Sequence, residues 1–356
     1  MMVSVAVMIG SFRRTVEAWV AQTVQSDLWI RPARGLSNAD IATLPPEVVD
    51  DLRRVPEIAA IDRFRGTDVV WRDEIITVGS GEFDVAMEWG EIPMIEPRSH
   101  REALRRAIET GGVFVSETLS LEHDIGVGDR LELPTASGIE TFPVAGIYRD
   151  YSNDRGVVIM DRGRWLETFR DPTSNTVAVF LREGVDAERA RKKIEALVAA
   201  KYGAFVMTNA TIRAEVMRIF DQTFLVTWAL LAVALAVAVL GIVNTLTALI
   251  LERRREIALL RVLGLDRRQI ALMILLEAAV IGLVAALLGL VAGWILSWIL
   301  IFVVNKQSFG WTIAFDPPFA VVLVSLAVTF AATVAAGLVP ARLAHSVSMA
   351  GELKAE

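Results

Sequence analysis

The chain has 356 residues, 54% of them hydrophobic and 22% charged, with a net charge of −6 and a mean hydropathy of +0.47. It is too apolar for an ordinary soluble domain and too charged for membrane helices alone, so the composition predicts both. The acidic balance and the lack of a basic, aromatic-interleaved patch speak against nucleic acid, and the lack of cysteine excludes disulfides, a thiol nucleophile and thiolate metal sites.

The N-terminal "MMVSVAVMIGSF" is apolar, but as a helix it spans only about 18 Å. It carries neither the basic stretch ahead nor the small-residue cleavage site behind that a signal peptide needs, so a signal peptide is not the expected reading. The expectation is the outer half of a first transmembrane helix whose beginning is missing. "SFRRTVEAWVAQTVQ" continues it into an outer stalk, the two together filling 1–25.

Residues 26–210 read as a folded α/β domain. "DLWIRP" (27–32) is a strand, "PPEVVDDLRR" (45–54) a helix with proline near its start, and "EIAAIDRFRGTDVVW" and "DEIITVGSG" are strand-rich. "TVAVFLRE" (176–183), "DAERARKKIEALVAAKYG" (186–203) and "AFVMTNA" (204–210) give strand, helix, strand, with Asp186 as N-cap and Gly203 as C-terminal stop. The two ends are expected to pack into one subdomain. The middle, about 72–160, is predicted to be a β-rich insertion whose "GVGDRLELPTASGIETFPVAGIYRDY" forms a hairpin. "GVGD" is a turn before a strand and not a phosphate loop, because no helix N-terminus follows it. "RDYSNDRG" (149–156) is a polar turn that could also touch a cargo or partner.

From 211 to 253 helical spacing continues without proline or glycine before Gly241, so stalk and second span form one helix. Stiff helical tethers transmit displacement, whereas Gly/Ser linkers do not; the other reading is simply an ordered junction. Thr223–Leu251 carries no charge, and Ala271–Val304 carries only Glu277. With Pro318–Val339 these predict three complete transmembrane helices, at 211–253, 269–304 and 318–340. The loop 252–268 holds six arginines, whereas the loop at 305–317 has only Lys306 as a basic residue. The positive-inside bias therefore places the arginine-rich loop and the tail 341–356 in the cytoplasm and the large domain outside. The expected fold is an α-helical membrane protein: a four-helix unit, first helix truncated, with an extracytoplasmic α/β (α+β) domain inserted between helices one and two. The expected location is the cell (inner or cytoplasmic) membrane.

The cytoplasmic excursion at 254–268, "RREIALLRVLGLDRR", is densely apolar and shows no clean stripe. Gly264 can end its helix, and Asp266 with Gln269 makes a capping-box-like start for the next. Two readings stand: an interfacial segment held by arginines on lipid phosphates, or a helix whose second side needs a partner. Glu277 lies within the cytoplasmic leaflet, where a charge is costly. It either pairs with an arginine of the loop or snorkels to the interface. Gly282, Gly289 and Gly293 form a small-residue stripe, and Ala234, Ala238, Gly241 and Thr245 form another. Both suit close helix packing, within the chain or between chains. His100, His123 and His345 have no metal-ligand spacing, no nucleophile–base arrangement is visible, and neither a catalytic nor a metal site is expected.

"EIALLRVLGLDRRQIALMILLEAAVIGLVAALLGLVAG" (256–293) resembles the signature of the FtsX-like permease family, the type VII ABC transporter permeases that include MacB and the lipoprotein-releasing permeases. The matching positions are Glu256, Ile257, Arg261, Gly264, Arg268, Gln269 and Glu277, then Gly282, Gly289 and Gly293. "AAGLVPARLAHSVSMAGEL" resembles the family's ending. "GVFVSETLSLEHDIGVGDRLEL" and "VAGIYRDYSNDRGVVIMDR" resemble its MacB-like extracytoplasmic core. The resemblance implies that the cytoplasmic helix is a coupling helix, with Glu256, Ile257, Leu260, Arg261 and Leu265 facing a separate ABC ATPase. ATP and Mg would sit on that partner, since this sequence has no GxxxxGK[S/T]. It further implies a second permease subunit or half, homo- or heterodimeric, membrane lipid, and an extracytoplasmic cargo or adaptor. ATP hydrolysis would be turned into movement of the outer domain, for export, lipoprotein or lipid release, or envelope signalling. The alternatives are a membrane-anchored extracytoplasmic binding or signalling module without an ATPase, and an inactive remnant.

Overall fold

A computed structural model describes residues 2–33, 43–151, 155–309, 312–317 and 319–338. It divides into two compact units, one of Thr15–Ile219 with Asn305–Thr312, the other of Met1–Arg14, Phe220–Val304 and Ile313–Glu356. Helices α1 (Met2–Thr23) and α8 (Asn209–Glu252) each contribute to both.

The first unit is built on ten strands. In chain order it holds β1 (Leu28–Pro32), α2 (Glu47–Leu52), β2 (Ile58–Trp71), β3 (Glu74–Gly81), α3 (Phe83–Trp89), β4 (Met94–Glu96), α4 (His100–Thr110), β5 (Val113–Ser116) and α5 (Glu117–His123). Then come β6 (Arg130–Thr135), β7 (Gly138–Tyr148), β8 (Val157–Asp161), α6 (Arg162–Thr168), β9 (Thr176–Leu181), α7 (Ala187–Tyr202) and β10 (Ala204–Thr208). The sheet order is β10-β1-β9-β2-β3-β8-β5-β7-β4, with β6 paired to β7. Only β3–β8 and β5–β7 run parallel among these pairs.

Strand β2 serves two lobes. Residues 58–64 pair with β9 and residues 65–71 with β3. The first lobe brings together the two ends of the domain: β1 lies between β10 and β9, and α2 and α7 cover a core of Leu28, Ile30, Val48, Leu52, Val177, Ile194 and Val198. Helix α7 forms where its signals put it. Asp186 accepts from the amide of Arg189 (2.7 Å), and Gly203 closes the helix in the left-handed region at φ 59°.

The second lobe is the expected β-rich insertion, with β3 to β8, but the stretch 72–160 also holds three helices that the sequence reading did not find, α3, α4 and α5. Helix α4 is capped by Ser99 and stopped by Gly111 at φ 63°, and it buries only Ala103, Leu104 and Ala107. Short helices with so few core positions leave little periodic signal. The "GVGD" turn is as expected: the amide of Gly126 donates to Asp129 (2.7 Å), Gly128 takes φ 95°, and β6 follows.

The seam between the lobes is polar. Arg63 pairs with Glu82, and Arg65 Nε donates to Asp171 at 2.6 Å. Asp62 accepts from the amide of Glu82 (2.9 Å). Arg162 is almost fully buried and spreads its guanidinium over Ser80 Oγ and the carbonyls of Pro172 and Thr173.

In the second unit α8 continues to Glu252 and is followed by α9 (Arg254–Val262) and α10 (Arg267–Ile299). A π-helical turn, Leu300–Val304, leads into α11 (Asn305–Phe309), and α12 spans Phe319–Ala336. Among the described residues two helices are long and apolar enough to cross a membrane, Asn209–Glu252 and Arg268–Gln307. The apolar part of α12, Val322–Ala336, is shorter. The tail 341–356 lies outside the described residues.

The glycine stripe is not one interface. A Cβ on Gly282 would lie 2.9 Å from Thr333 of α12, and one on Gly293 would lie 2.8 Å from Val3 of α1. A Cβ on Gly289 would have nothing within 4 Å. On α8, Ala238, Gly241 and Thr245 are exposed and Ala234 is half-buried.

Candidate functional site: the hairpin tip between the two long apolar helices

Helix α8 breaks at Arg253, and α9 starts one residue later. The tip then turns as a Schellman motif: Gly264 takes φ 99°, and the amide of Leu265 reaches back to the carbonyl of Leu260 (3.1 Å). Any other residue at Gly264 would strain the turn. Re-entry is capped as the spacing suggests. The side-chain oxygen of Gln269 accepts from the amide of Asp266 (2.9 Å), and the amide of Ile270 donates to the Asp266 carbonyl (3.2 Å).

The hairpin has its own small core. Ile257 is only 3% exposed and packs with Ile250 of α8 and with Ile270 and Ile274 of α10, while Leu265 and Ala271 close the edge. Of the residues expected to face an ATPase, Ile257 sits in this core, and Leu260 and Leu265 are half-buried. Glu256 is exposed, and the side chain of Arg261 lies outside the described residues.

The outward face consists of residues the sequence reading passed over. Leu259 is 58% exposed, Val262 62% and Leu263 78%. At roughly 100° per residue these three lie on the side of the helix opposite Ile257, flanked by Arg255 and Glu256. The tip thus presents three large apolar side chains beside the exposed Arg255 and Glu256.

Glu277 meets the loop. Arg253 Nη1 lies 3.6 Å from its carboxylate, across the hairpin from α8 to α10.

Elsewhere, Ser152–Asp154 of the polar turn at 149–156 lie outside the described residues. At its start Asp150 accepts from the hydroxyl of Tyr148, the last residue of β7 (3.0 Å), and both are buried. Glu74, Glu122 and His123 each bring one ligand-capable atom within 4.8 Å of the others, a grouping invisible to ligand spacing. Both carboxylates are exposed, and His123 Nε2 already meets Glu74 at 3.2 Å.

Two family models match the chain: "MacB-like periplasmic core domain" over residues 1–197 and "FtsX-like permease C-terminal" over residues 228–348. An ABC transporter permease protein of Mycobacterium tuberculosis is 30% identical over 347 residues, covering 96% of this chain and 40% of that protein. The macrolide export ATP-binding/permease protein MacB of Brucella abortus is 24% identical over 345 residues, covering 92% of this chain and 51% of that protein. The chain therefore spans about half the length of the curated relatives it matches. The crystal structure of the periplasmic region of MacB from Actinobacillus actinomycetemcomitans aligns at 14% identity and a TM-score of 0.40, covering 57% of this chain and 98% of that one.

Proposed function

The chain belongs to the FtsX-like, MacB-type family of ABC transporter permeases, and we propose from this that it is the membrane subunit, or one half of it, of a system in which a partner ABC ATPase drives movement of the extracytoplasmic domain. In this reading α8 and α10 span the bilayer, and α1 and α12 complete a four-helix unit. The arginine-rich tip at 254–268 is cytoplasmic, and residues 26–210 fold outside. ATP and Mg are bound by the partner. A second permease subunit or half completes the membrane part, and the moving domain exports, releases or signals to an envelope cargo.

One observation carries the reading: α9 turns Leu259, Val262 and Leu263 outward, although Ile257 already satisfies the hairpin's own core. Three exposed apolar side chains on a charged cytoplasmic tip need a cover. We assign the ATPase contact to these three with Glu256, and Leu260 at its margin. Ile257, Leu265 and the Arg253–Glu277 pair act as the support that converts a push on the tip into helix movement.

The test is Leu259→Asp with Leu263→Asp in the full chain, purified with its ABC ATPase. Association is expected to fall by at least tenfold, whereas Arg268→Gln has little effect. Unchanged association and unchanged ATPase stimulation would sink the docking role. They would favour a membrane-anchored binding or signalling module with the tip lying in lipid headgroups.

A further inference from the structure

The connection 305–317, between the second long apolar helix and α12, meets an organised contact within the sheet-bearing unit. Glu117 opens α5, and its place is fixed by its neighbour. Ser116 Oγ accepts from the amide of Leu119 (3.4 Å) and from the amide of Val157 on β8 (2.9 Å). The Glu117 carboxylate then takes two hydrogen bonds from a residue 195 positions away. Thr312 donates its hydroxyl to one oxygen (2.6 Å) and its amide to the other (3.3 Å). The carbonyl of the same threonine accepts from the Tyr151 hydroxyl (3.1 Å). Every polar group of Thr312 is thereby engaged. Tyr151 packs its ring 5.9 Å from that of Trp19 on α1, and burial pushes its hydroxyl up to about 12, so it stays a donor across the working pH range.

We propose that Glu117, Tyr151 and Thr312 form a latch that clamps the 305–317 connection to the outer domain. Ordering a connecting segment costs conformational entropy, and a carboxylate gripping both the amide and the hydroxyl of one residue offsets that cost at one point. The latch gives the domain a third anchor in the chain beyond α1 and α8. A body held by two helices can pivot about the line joining them; a third anchor removes that freedom. The part played in transmission rests on the function proposed above, whereas the latch itself does not.

Hydrogen exchange on the full chain in lipid nanodiscs tests the latch directly. Glu117→Ala and Thr312→Val should each speed exchange in the peptide carrying Thr312 by about tenfold. The double variant should go no faster than the faster single one. Tyr151→Phe should give a smaller rise, and Glu117→Gln should recover most of the wild-type protection. Peptides from β9 and α7 serve as reference. An unchanged rate in Glu117→Ala, or additive rises in the double variant, overturns the latch.

Transmission has a separate readout. In the complex with the ATPase, spin labels on single cysteines introduced into this cysteine-free chain report nucleotide-driven domain displacement. Glu117→Ala should at least halve that displacement while ATP turnover continues. An undiminished displacement overturns the transmitting role. A wild-type chain that recruits no ATPase overturns the proposed function instead, and the exchange measurement still judges the latch.

Discussion

Helices α7 and α8 are separated only by β10, yet they are built on opposite principles. Helix α7 hides Ala190, Ile194 and Val198 beneath the first-lobe sheet and turns charge outward, with Arg191 pairing to Glu188 and Glu195, Lys193 to Glu57, and Lys201 to Asp51. Helix α8 is apolar on nearly all sides beyond Thr223 and buries only Phe220, Leu231, Leu246 and Ile250, leaving Leu225, Val233, Val237 and Leu240 exposed. Helix α7 is satisfied by its own chain, whereas α8 requires an apolar surrounding that the described residues do not supply. That difference separates the water-exposed half of the molecule from the half assigned to lipid.

The largest test of the contrast is truncation of one side chain on each helix. Ile194→Ala opens a cavity in a closed core and should cost about 2–4 kcal/mol, read from guanidinium unfolding of the full chain by tryptophan fluorescence. Leu240→Ala touches no core and should stay within about 0.5 kcal/mol. A large loss at Leu240 in the bilayer would break the contrast, because it would mean that another protein surface covers that face.

The second test lies in the polar seam. Burial raises the Asp62 carboxyl from its ordinary 3.8 to about 6, with Glu82 adding to the rise and the Glu82 amide, Arg63 and Arg162 opposing it. Between about pH 4 and pH 6 the folded chain then binds more protons here than the unfolded chain. Stability falls as pH rises through that window, and the penalty is complete above it. Asp62→Asn should therefore stabilise by about 1–2 kcal/mol at pH 8 and by almost nothing at pH 4. The asparagine carbonyl can still accept from the Glu82 amide. Unfolding midpoints at pH 4, 6 and 8 check this, and a gain independent of pH would remove the Asp62 carboxyl as its cause.

What the sequence made legible follows the same division. Asp186 and Gly203 bound α7, and Gly264, Asp266 and Gln269 mark the turn at the tip, because caps and left-handed glycines are local chemistry. Strands β1, β2, β9 and β10 announce themselves by short apolar stretches rich in β-branched and aromatic residues. The inward face of α9 was not legible. A nine-residue helix that is apolar at most positions has no stripe, and Ile257 is buried by Ile250, Ile270 and Ile274, which only the folded hairpin brings together. The Glu117–Thr312 contact was hidden for the same reason, spanning 195 positions.

A third test asks how charge behaves on the apolar side. Arg253 and Glu277 should be coupled by about 1 kcal/mol in a double-mutant cycle in nanodiscs, more than exposed pairs usually give. Arg253→Ala and Glu277→Gln should each lower the melting temperature, and the double variant should melt no lower than the worse single one. Strict additivity would mean that Glu277 reaches the interface alone.

The smallest effect is also the most discriminating. Gly282, Gly289 and Gly293 fall within about 40° of one another around α10 by helical periodicity, yet their surroundings differ. Gly282→Ala would press a methyl group onto Thr333 at 2.9 Å, and the α10–α12 contact would have to shift, at a cost of about 1–2 kcal/mol. Gly289→Ala meets nothing within 4 Å and replaces the poorest non-proline helix former with the best, so the isolated chain should gain about 0.5–1 kcal/mol. Because the same face is closed by this chain at Gly282 and Gly293 but open between them, the sign at Gly289 reports whether a second permease copy packs there. Melting of the isolated chain should rise with the alanine. If it rises equally at high protein density in the bilayer, Gly289 faces lipid; if the gain reverses as chains associate, the open gap is a contact between copies.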